Sequence, residues 1–397
     1  MVAGPARLLD LTRSVSRLGR GPMTGIDRVE AAWAAELVKQ TEPALALIRT
    51  GAGFLLLDRV GMAALLTTDL PARADGLARL THRRHPAWAR AETLARRLAV
   101  ARCSRFGLAR MVRRWCPAGG IYLNLGHANL VPRTLRQVQR GGLKVTVLIH
   151  DTIPLDHPDL VRVGSPDAFR RKLAAVVQHA DRVIHLTAAT RQLTEGHFAR
   201  LGRVPPGCTA PLGVMPARPD PAALPAGPTL SRPYFVALGT IEPRKNIGLL
   251  LDVWDVLAAP PQLLLIGARG WAGADLLARL DALPPGGAIT ELNGLPDDAV
   301  AALLAGARAL LFPSLAEGYG LPPLEAAALG VPVLALKLPV IHETLGDYPV
   351  YLNDSNRYSW ATKIEELVQT TERAGQTDAR IVLPTWEAHF NAVLSPA

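Results

Sequence analysis

The sequence predicts an α/β protein made of two doubly wound parallel sheets that face one another across a cleft. Three observations predict it. Short apolar runs of strand length recur along the chain, stretches of helical periodicity separate them, and a proline-rich break at Met215–Pro233 divides the series in two. Strands with no polar alternation are buried on both faces, and helices between them imply right-handed crossovers in a parallel sheet. Ligands of such sheets are expected at the carboxyl ends of the strands.

In the first half the strand candidates are Ile121–Leu125 (IYLNL), Val145–Ile149 (VTVLI) and Val183–Leu186 (VIHL), with a helix over Asp167–His179. The break, MPARPDPAALPAGPTLSRP, holds six prolines in nineteen residues, which excludes a helix or a central strand. Beyond it come Tyr234–Leu238 (YFVAL), Leu263–Ile266 (LLLI), Ala309–Phe312 (ALLF) and Val331–Ala335 (VPVLA). They alternate with helical runs at Ile247–Leu257, Ala274–Leu283, Asp297–Ala305 and Leu324–Leu329. Thr385–Leu394 (TWEAHFNAVL) reads as an amphipathic helix with Trp386, Phe390 and Val393 or Leu394 on one face. The expected organisation is a domain over 1–215, a linker over 216–233, a second domain over 234–380 and a C-terminal helix over 381–397.

The chain has 397 residues and is 49% hydrophobic and 20% charged, which excludes disordered, collagen-like and disulfide-scaffold proteins. Lys and Arg total 44 against 34 Asp and Glu, a formal charge of +10, and only six of the cations are Lys. Such a balance invites nucleic acid, anionic membrane or phosphorylated ligands, and charge alone does not choose among them. Cys103, Cys116 and Cys208 form no CxxC pair and have no His at ligand spacing, so they are expected to be buried small hydrophobes, with no metal site. The start lacks a signal-peptide core and no stretch of about 18 apolar residues occurs. A cytoplasmic protein, at most peripheral to a membrane, is expected.

The most specific segment is Phe312–Gly330, FPSLAEGYGLPPLEAAALG. A buried strand ends at Phe312 and a loop carries Glu317, Gly318, Tyr319 and Gly320. Pro322 and Pro323 are expected to start a helix with Glu325 in its first turn, and Gly330 to end it. Glycines beside a carboxylate at a strand end allow backbone amides to approach a ligand, and a helix start suits phosphate. Read locally, Glu325 could equally just favour a helix N-terminus. The second segment is Gly239–Asn246, GTIEPRKN, directly after YFVAL. Arg244 and Lys245, at the start of a helix, would neutralise a diphosphate, although a solvated basic turn has the same sequence. His150, after VTVLI, is open to the plainer reading of a residue satisfying a strand end, and Gly25 to that of a turn glycine. Asp151 can orient its loop by an Asx-type bond.

With these residues the sequence resembles the family 4 retaining glycosyltransferases of GT-B fold, marked by Glu317 and Glu325 spaced by seven residues in EGYGLPPLE. PRKN, GARGW at Gly267–Trp271, NGLPDDAVAALLAGARALLFPS, GVPVLA, TGIDRVE at Thr24–Glu30 and IHDTIPLDHPDL at Ile149–Leu160 resemble the same family in the same order. The resemblance implies two Rossmann-like domains, the first for the acceptor and the second for a nucleotide sugar, with the C-terminal helix crossing back to the first. It implies that Glu317 binds donor-sugar hydroxyls and that the amides of Gly318, Tyr319, Gly320 and Leu321 lie near the sugar and diphosphate. Glu325 would hold the ribose. Arg244 and Lys245 would bind the diphosphate and stabilise the leaving group, beside Gly239 and Thr240. Gly267, Arg269, Asn293 and Leu295 would line the base pocket. Gly25 would lie against the phosphates, with Arg28 starting the helix behind it, and His150 would point towards donor sugar and acceptor.

The implied reaction is retaining hexosyl transfer, in which a leaving phosphate oxygen accepts the acceptor's proton on the same face. The form GTIEPRKN resembles bacterial mannosyltransferases of polysaccharide and lipopolysaccharide assembly that use GDP-mannose. No Asp-x-Asp occurs, so no metal or other cofactor is expected, and Arg244 with Lys245 would supply the positive charge. Other GT-B proteins are nucleotide-sugar epimerases or phosphorylases, which is the alternative.

From His82 to Trp115 there are ten arginines and one acid, Glu92, so this stretch carries nine of the ten net charges. It is helix-compatible and interleaved with Trp88, Leu94, Leu98, Leu108, Met111 and Trp115. Arg83, Arg84, Arg96, Arg97, Arg113 and Arg114 are candidates for docking an anionic membrane or a lipid-linked glycan acceptor. A solvated arginine-rich helix pair is the plainer reading. With 5% aromatic residues and no recognition module, a nucleic-acid partner is not expected.

Overall fold

The computed structural model describes residues 4–21, 23–224, 230, 233–370 and 381–394. Contacts divide the chain into two compact units. The first comprises Met1–His150, Asp167–His185 and Leu193–Thr209, and the second Asp151–Pro166, Leu186–Gln192 and Ala210–Ala397. The division thus falls ahead of the proline-rich segment. Residues 225–229 and 231–232 of that segment, and 371–380 around the expected boundary at 380, lie outside the described residues.

The first unit is an eight-stranded sheet. Its strands are β1 (Ala6–Asp10), β2 (Ala44–Thr50), β3 (Gly53–Leu57), β4 (Ala101–Cys103), β5 (Gly120–Asn124), β6 (Leu143–Ile149), β7 (Arg182–His185) and β8 (Gly207–Thr209). They lie in the order β4-β3-β2-β1-β5-β6-β7-β8. From β2 to β8 every pairing is parallel, as the apolar runs predict. The other edge departs from the expectation, because β2–β3 and β3–β4 are antiparallel. A tight turn joins Thr50 to Gly53, and a hairpin strand needs no crossover helix. The His82–Trp115 stretch is likewise more than a helix pair: β4 sits between the helices Pro86–Leu98 and Leu108–Trp115.

The second unit holds β9 (Tyr234–Leu238), β10 (Gln262–Ile266), β11 (Ile289–Leu292), β12 (Ala309–Phe312), β13 (Val333–Leu336) and β14 (Val350–Leu352). The order is β11-β10-β9-β12-β13-β14 and all pairs are parallel. Phe235, Leu263, Leu311, Leu250, Trp254, Trp360 and Ile364 fill its core. Trp254 and Trp360 bury their indoles by donating Nε1–H to the carbonyls of Pro261 (2.8 Å) and Asp354 (3.1 Å). The C-terminal helix, Trp386–Leu394, groups with this unit and buries His389, Phe390 and Val393. It packs on residues 210–214: Val214 N–H donates to Pro384 O at 3.0 Å, and His389 Nδ1 lies 3.1 Å from Ala210 O.

Strand order reverses direction between β1 and β5 in the first sheet and between β9 and β12 in the second. Loops leaving neighbouring strands at such a point splay apart and open a crevice at the carboxyl edge. The loop after β9 carries Arg244 and Lys245, and the loop after β12 carries Glu317.

Candidate functional site

At the β9/β12 switch point a single-turn helix, Pro243–Lys245, places both cations against the next loop. Lys245 Nζ lies 2.6 Å from Glu317 Oε1, and Arg244 Nη1 lies 2.8 Å from Glu317 Oε2. One carboxylate therefore bridges two cations. One backbone and one side-chain bond hold the loops in register: Leu315 N–H donates to Arg244 O at 2.8 Å, and Arg244 Nη1 to Ala316 O at 3.2 Å. Lys245 Nζ also lies 4.9 Å from the Phe312 ring centroid. Glu317 and Lys245 side chains are 7% and 9% exposed. Burial alone would raise the Glu317 carboxyl, but Lys245 and Arg244 outweigh it and bring it down to about 2, so the group is an anion at neutral pH.

Glu242 completes the cluster by accepting from Arg244 Nε at 2.5 Å, and it is buried. Sequence reasoning passed over it, although it stands inside GTIEPRKN. With two acids and two cations the cluster is formally neutral before any ligand binds.

The rim of this edge is built by close backbone approach. Gly267, at φ +146°, has no room for a side chain: a Cβ would stand 2.2 Å from Gly239 O. Gly239 in turn lies under the Lys245 stem. Gly267 N–H donates to Leu292 O at 2.9 Å, which puts the 293–295 turn beside it, with Asn293 exposed and Leu295 half-buried. Thr240 is exposed here as well. Arg269 spreads its fork on Glu291, Nε to Oε2 at 2.8 Å and Nη2 to Oε1 at 2.6 Å, and also pairs with Asp281.

The helix after Glu317 runs Leu321–Ala328, one residue earlier than expected, with Gly320 before it at φ +91°. Glu325 consequently falls outside the first turn, where a carboxylate would favour the helix dipole, and it is half-buried. Gly330, at φ +66°, ends the helix as expected. The Gly318 backbone is half-buried, whereas the Tyr319 side chain is buried and its hydroxyl donates to Leu212 O at 2.7 Å. Tyr319 can therefore offer a ligand its amide but not its ring.

His150 and Gly25 belong to the first unit. His150 follows β6, is buried, and donates Nε2–H to Leu125 O at 2.7 Å, which leaves Nδ1 as the acceptor. Its ring centroid lies 5.2 Å from that of His127, which donates to Leu148 O at 2.9 Å. Burial above all lowers the His150 pKa to about 4, so the imidazole is neutral in the working range. His127 lacked any sequence signal beyond its type. Asp151 makes its expected Asx-type bond, accepting from Ile153 N–H at 3.1 Å.

Gly25 is the exposed first residue of the helix Gly25–Lys39, so Arg28 lies a turn in and does not start it. Asp27 anchors that helix start, accepting from Thr24 N–H (2.9 Å), Arg13 (3.1 Å) and Arg17 (3.4 Å). One turn further, Glu30 is wholly buried, accepts from the Ser14 hydroxyl and fills the space that a Cβ on Gly126 would need. Burial raises its pKa to about 8. An acid raised in the folded state stabilises fully below its unfolded pKa of 4.5 and loses that stability as pH rises towards 8. Thermal melts of the wild type should therefore fall over this window by at most about 1.4 kcal/mol per pH unit from this group. Glu30→Gln should flatten the slope; an unchanged slope would contradict the assignment.

In the basic stretch, Arg96 turns inward to Glu92 and to Asp75 (3.2 Å), while His82 pairs with Glu92 at 2.7 Å. Arg96 is thus unavailable for docking. Arg83, Arg84, Arg97, Arg113 and Arg114 are exposed. Cys116 is buried, but Cys103 and Cys208 are only half-buried. Among the described residues, no group of three or more His, Cys, Asp or Glu is placed to hold a metal ion, and no helix is long and apolar enough to cross a membrane.

Two doubly wound sheets in one chain are the architecture of the GT-B fold. Residues 226–380 match the family described as Glycosyl transferases group 1. The serotype-specific mannosyltransferase WbdA of Escherichia coli is 27% identical over 266 residues, 62% of this chain and 33% of that protein. The O-antigen chain mannosyltransferase B of Escherichia coli is 38% identical over 118 residues, 29% of this chain and 31% of that one. The chain therefore spans about a third of the length of these curated relatives. Among solved structures, Anabaena HepE in complex with UDP-glucose aligns over 98% of this chain and 95% of its own, with a TM-score of 0.61 and 13% identity, a likeness of fold.

Proposed function

We propose that the protein is a retaining hexosyltransferase that moves mannose from GDP-mannose to a glycan or lipid-linked acceptor in cell-surface polysaccharide synthesis, without a metal. The observation that carries this reading is the bridge from Glu317 to Arg244 and Lys245 at the switch point of the matched domain. The mannosyltransferase relatives support the choice of sugar. A diphosphate entering the crevice competes with Glu317 for the two cations. Its oxygens take the positive charge that Glu317 now neutralises, and the freed carboxylate turns to the hydroxyls of the sugar. As the glycosidic bond to the leaving phosphate breaks, charge builds on the oxygen that Arg244 and Lys245 already face, and fixed charges need no reorganisation at that moment. The acceptor's proton passes to that phosphate oxygen as the new bond forms on the same face. His150, neutral and with Nδ1 as an acceptor, suits a contact to a sugar hydroxyl and not to phosphate. The basic first half would hold the enzyme at the cytoplasmic face of an anionic membrane.

A panel of labelled GDP-mannose, UDP-glucose, UDP-galactose and dTDP-rhamnose, assayed with and without chelator, tests the proposal. Mannose transfer with retained anomeric configuration and no chelator effect is expected. Release of a free epimer or a sugar phosphate would instead indicate an epimerase or a phosphorylase. Glu325→Ala should weaken nucleotide binding by roughly ten- to a hundredfold, the loss of one hydrogen-bonded charge, with turnover at saturating donor little changed. Titration calorimetry with GDP alone reads that loss; an unaltered affinity would remove Glu325 from the ribose.

A further inference from the structure

Residues 104–142 contain seven arginines, at 105, 110, 113, 114, 133, 136 and 140, and no Asp or Glu. The fold brings five of them, Arg105, Arg113, Arg133, Arg136 and Arg140, to the junction of two helices in the first unit. Helices Leu108–Trp115 and Pro132–Arg140 pack through Leu108, Met111, Val112, Leu135 and Val138, and Gly141 admits the Val112 side chain against its backbone. Gln137 Nε2 donates to Arg105 O at 3.1 Å, and Arg113 Nη2 to Arg140 O at 2.9 Å. Between the helices lies a cavity of about 330 Å³ lined by Phe106, Ala109, Arg133, Arg136, Gln137 and Arg140. Arg133, Arg136 and Arg140 recur at helical spacing and so share a face. Phe106 is 69% exposed, with the guanidiniums of Arg133 and Arg105 at 4.4 and 4.9 Å from its ring centroid. In contrast to Arg96, none of the seven is drawn into a carboxylate pair within this segment.

We propose that this helix pair is the face that docks on an anionic lipid bilayer, with the cavity taking headgroup phosphate and Phe106 entering the interfacial layer. The proposal rests on the membrane-associated reading above and assigns it to residues 105–140, away from Arg83, Arg84 and Arg97. Charge complementarity selects the occupant: cations in a segment that holds no acid suit a surface of phosphates. An exposed aromatic among arginines suits the boundary between headgroup and acyl chain.

Co-sedimentation of the full chain with phosphatidylcholine vesicles, with and without phosphatidylglycerol, tests both levels. The wild type should bind only the anionic vesicles, and less at high salt. Arg133→Gln/Arg136→Gln/Arg140→Gln should lose roughly a hundredfold in partitioning, and Phe106→Ala should lose binding that salt does not modulate. Transfer to a soluble acceptor should be unchanged in both. Loss in Arg83→Gln/Arg84→Gln/Arg97→Gln with full binding in the first variant would overturn the location and leave membrane docking standing. Failure of the wild type to bind anionic vesicles, or tighter binding to an RNA oligonucleotide, would overturn both.

Discussion

Glu317→Ala and Lys245→Ala should each cut sugar transfer by about three orders of magnitude, with circular dichroism showing a retained fold. For Lys245 the size follows from removing a fixed charge that faces the leaving group, and for Glu317 from removing the carboxylate that holds the sugar; a single lost stabilising contact of this kind costs roughly a hundred- to a thousandfold. The two variants should differ in how they fail. Lys245→Ala leaves Glu317 ionised and held by Arg244 alone, so donor affinity and turnover fall together. Glu317→Ala frees Lys245 Nζ and Arg244 Nη1 for the diphosphate, with Arg244 Nε still on Glu242, so nucleotide binding should persist or tighten while transfer is lost. Removing one member of a buried pair costs about 3–5 kcal/mol of stability, so Glu317→Gln, which keeps volume and a hydrogen-bonding oxygen, serves as the folded control. Transfer by either alanine variant at wild-type rate would reject the site.

Gly267→Ala should destabilise the second unit by at least about 3 kcal/mol and abolish nucleotide binding. At φ +146° an alanine is strained in itself, and its Cβ would stand 2.2 Å from Gly239 O. That contact is backbone on backbone, so no rotamer relieves it. The loops after β9 and β10 would have to part, and Lys245 rests on Gly239. Gly248→Ala, in the helix Ile247–Trp254 with nothing within 4 Å of the new methyl, should be neutral or slightly stabilising. Urea denaturation of the two variants side by side measures the difference; equal midpoints would contradict the close approach.

Much of the second unit was legible because its signals are local. YFVAL, LLLI and ALLF are apolar strands on sight, and glycine and proline mark each loop, so β9, β10 and β12 fall within a residue of their expected bounds. The first unit was less legible. β2 and β3 are apolar runs that a buried helix could equally contain, and they close an antiparallel hairpin in a sheet expected to be parallel. Arg96 carries the same residue type as its exposed neighbours, and only its place on the helix aims it at Glu92 and Asp75.

By itself the sequence determined the alternation of strand and helix, the two-part division, the residue types at the strand ends and the family they resemble. Only the tertiary structure decided which of those residues meet. Lys245 and Glu317 are 72 positions apart and touch because β12 inserts beside β9. Tyr122 and Asp10 are 112 apart and hydrogen-bond at 2.5 Å because β5 pairs with β1. Local propensity acts over a few residues, whereas strand order is set by which buried faces pack together across the whole chain. A carboxylate's partners, and hence its charge state, are consequences of that order.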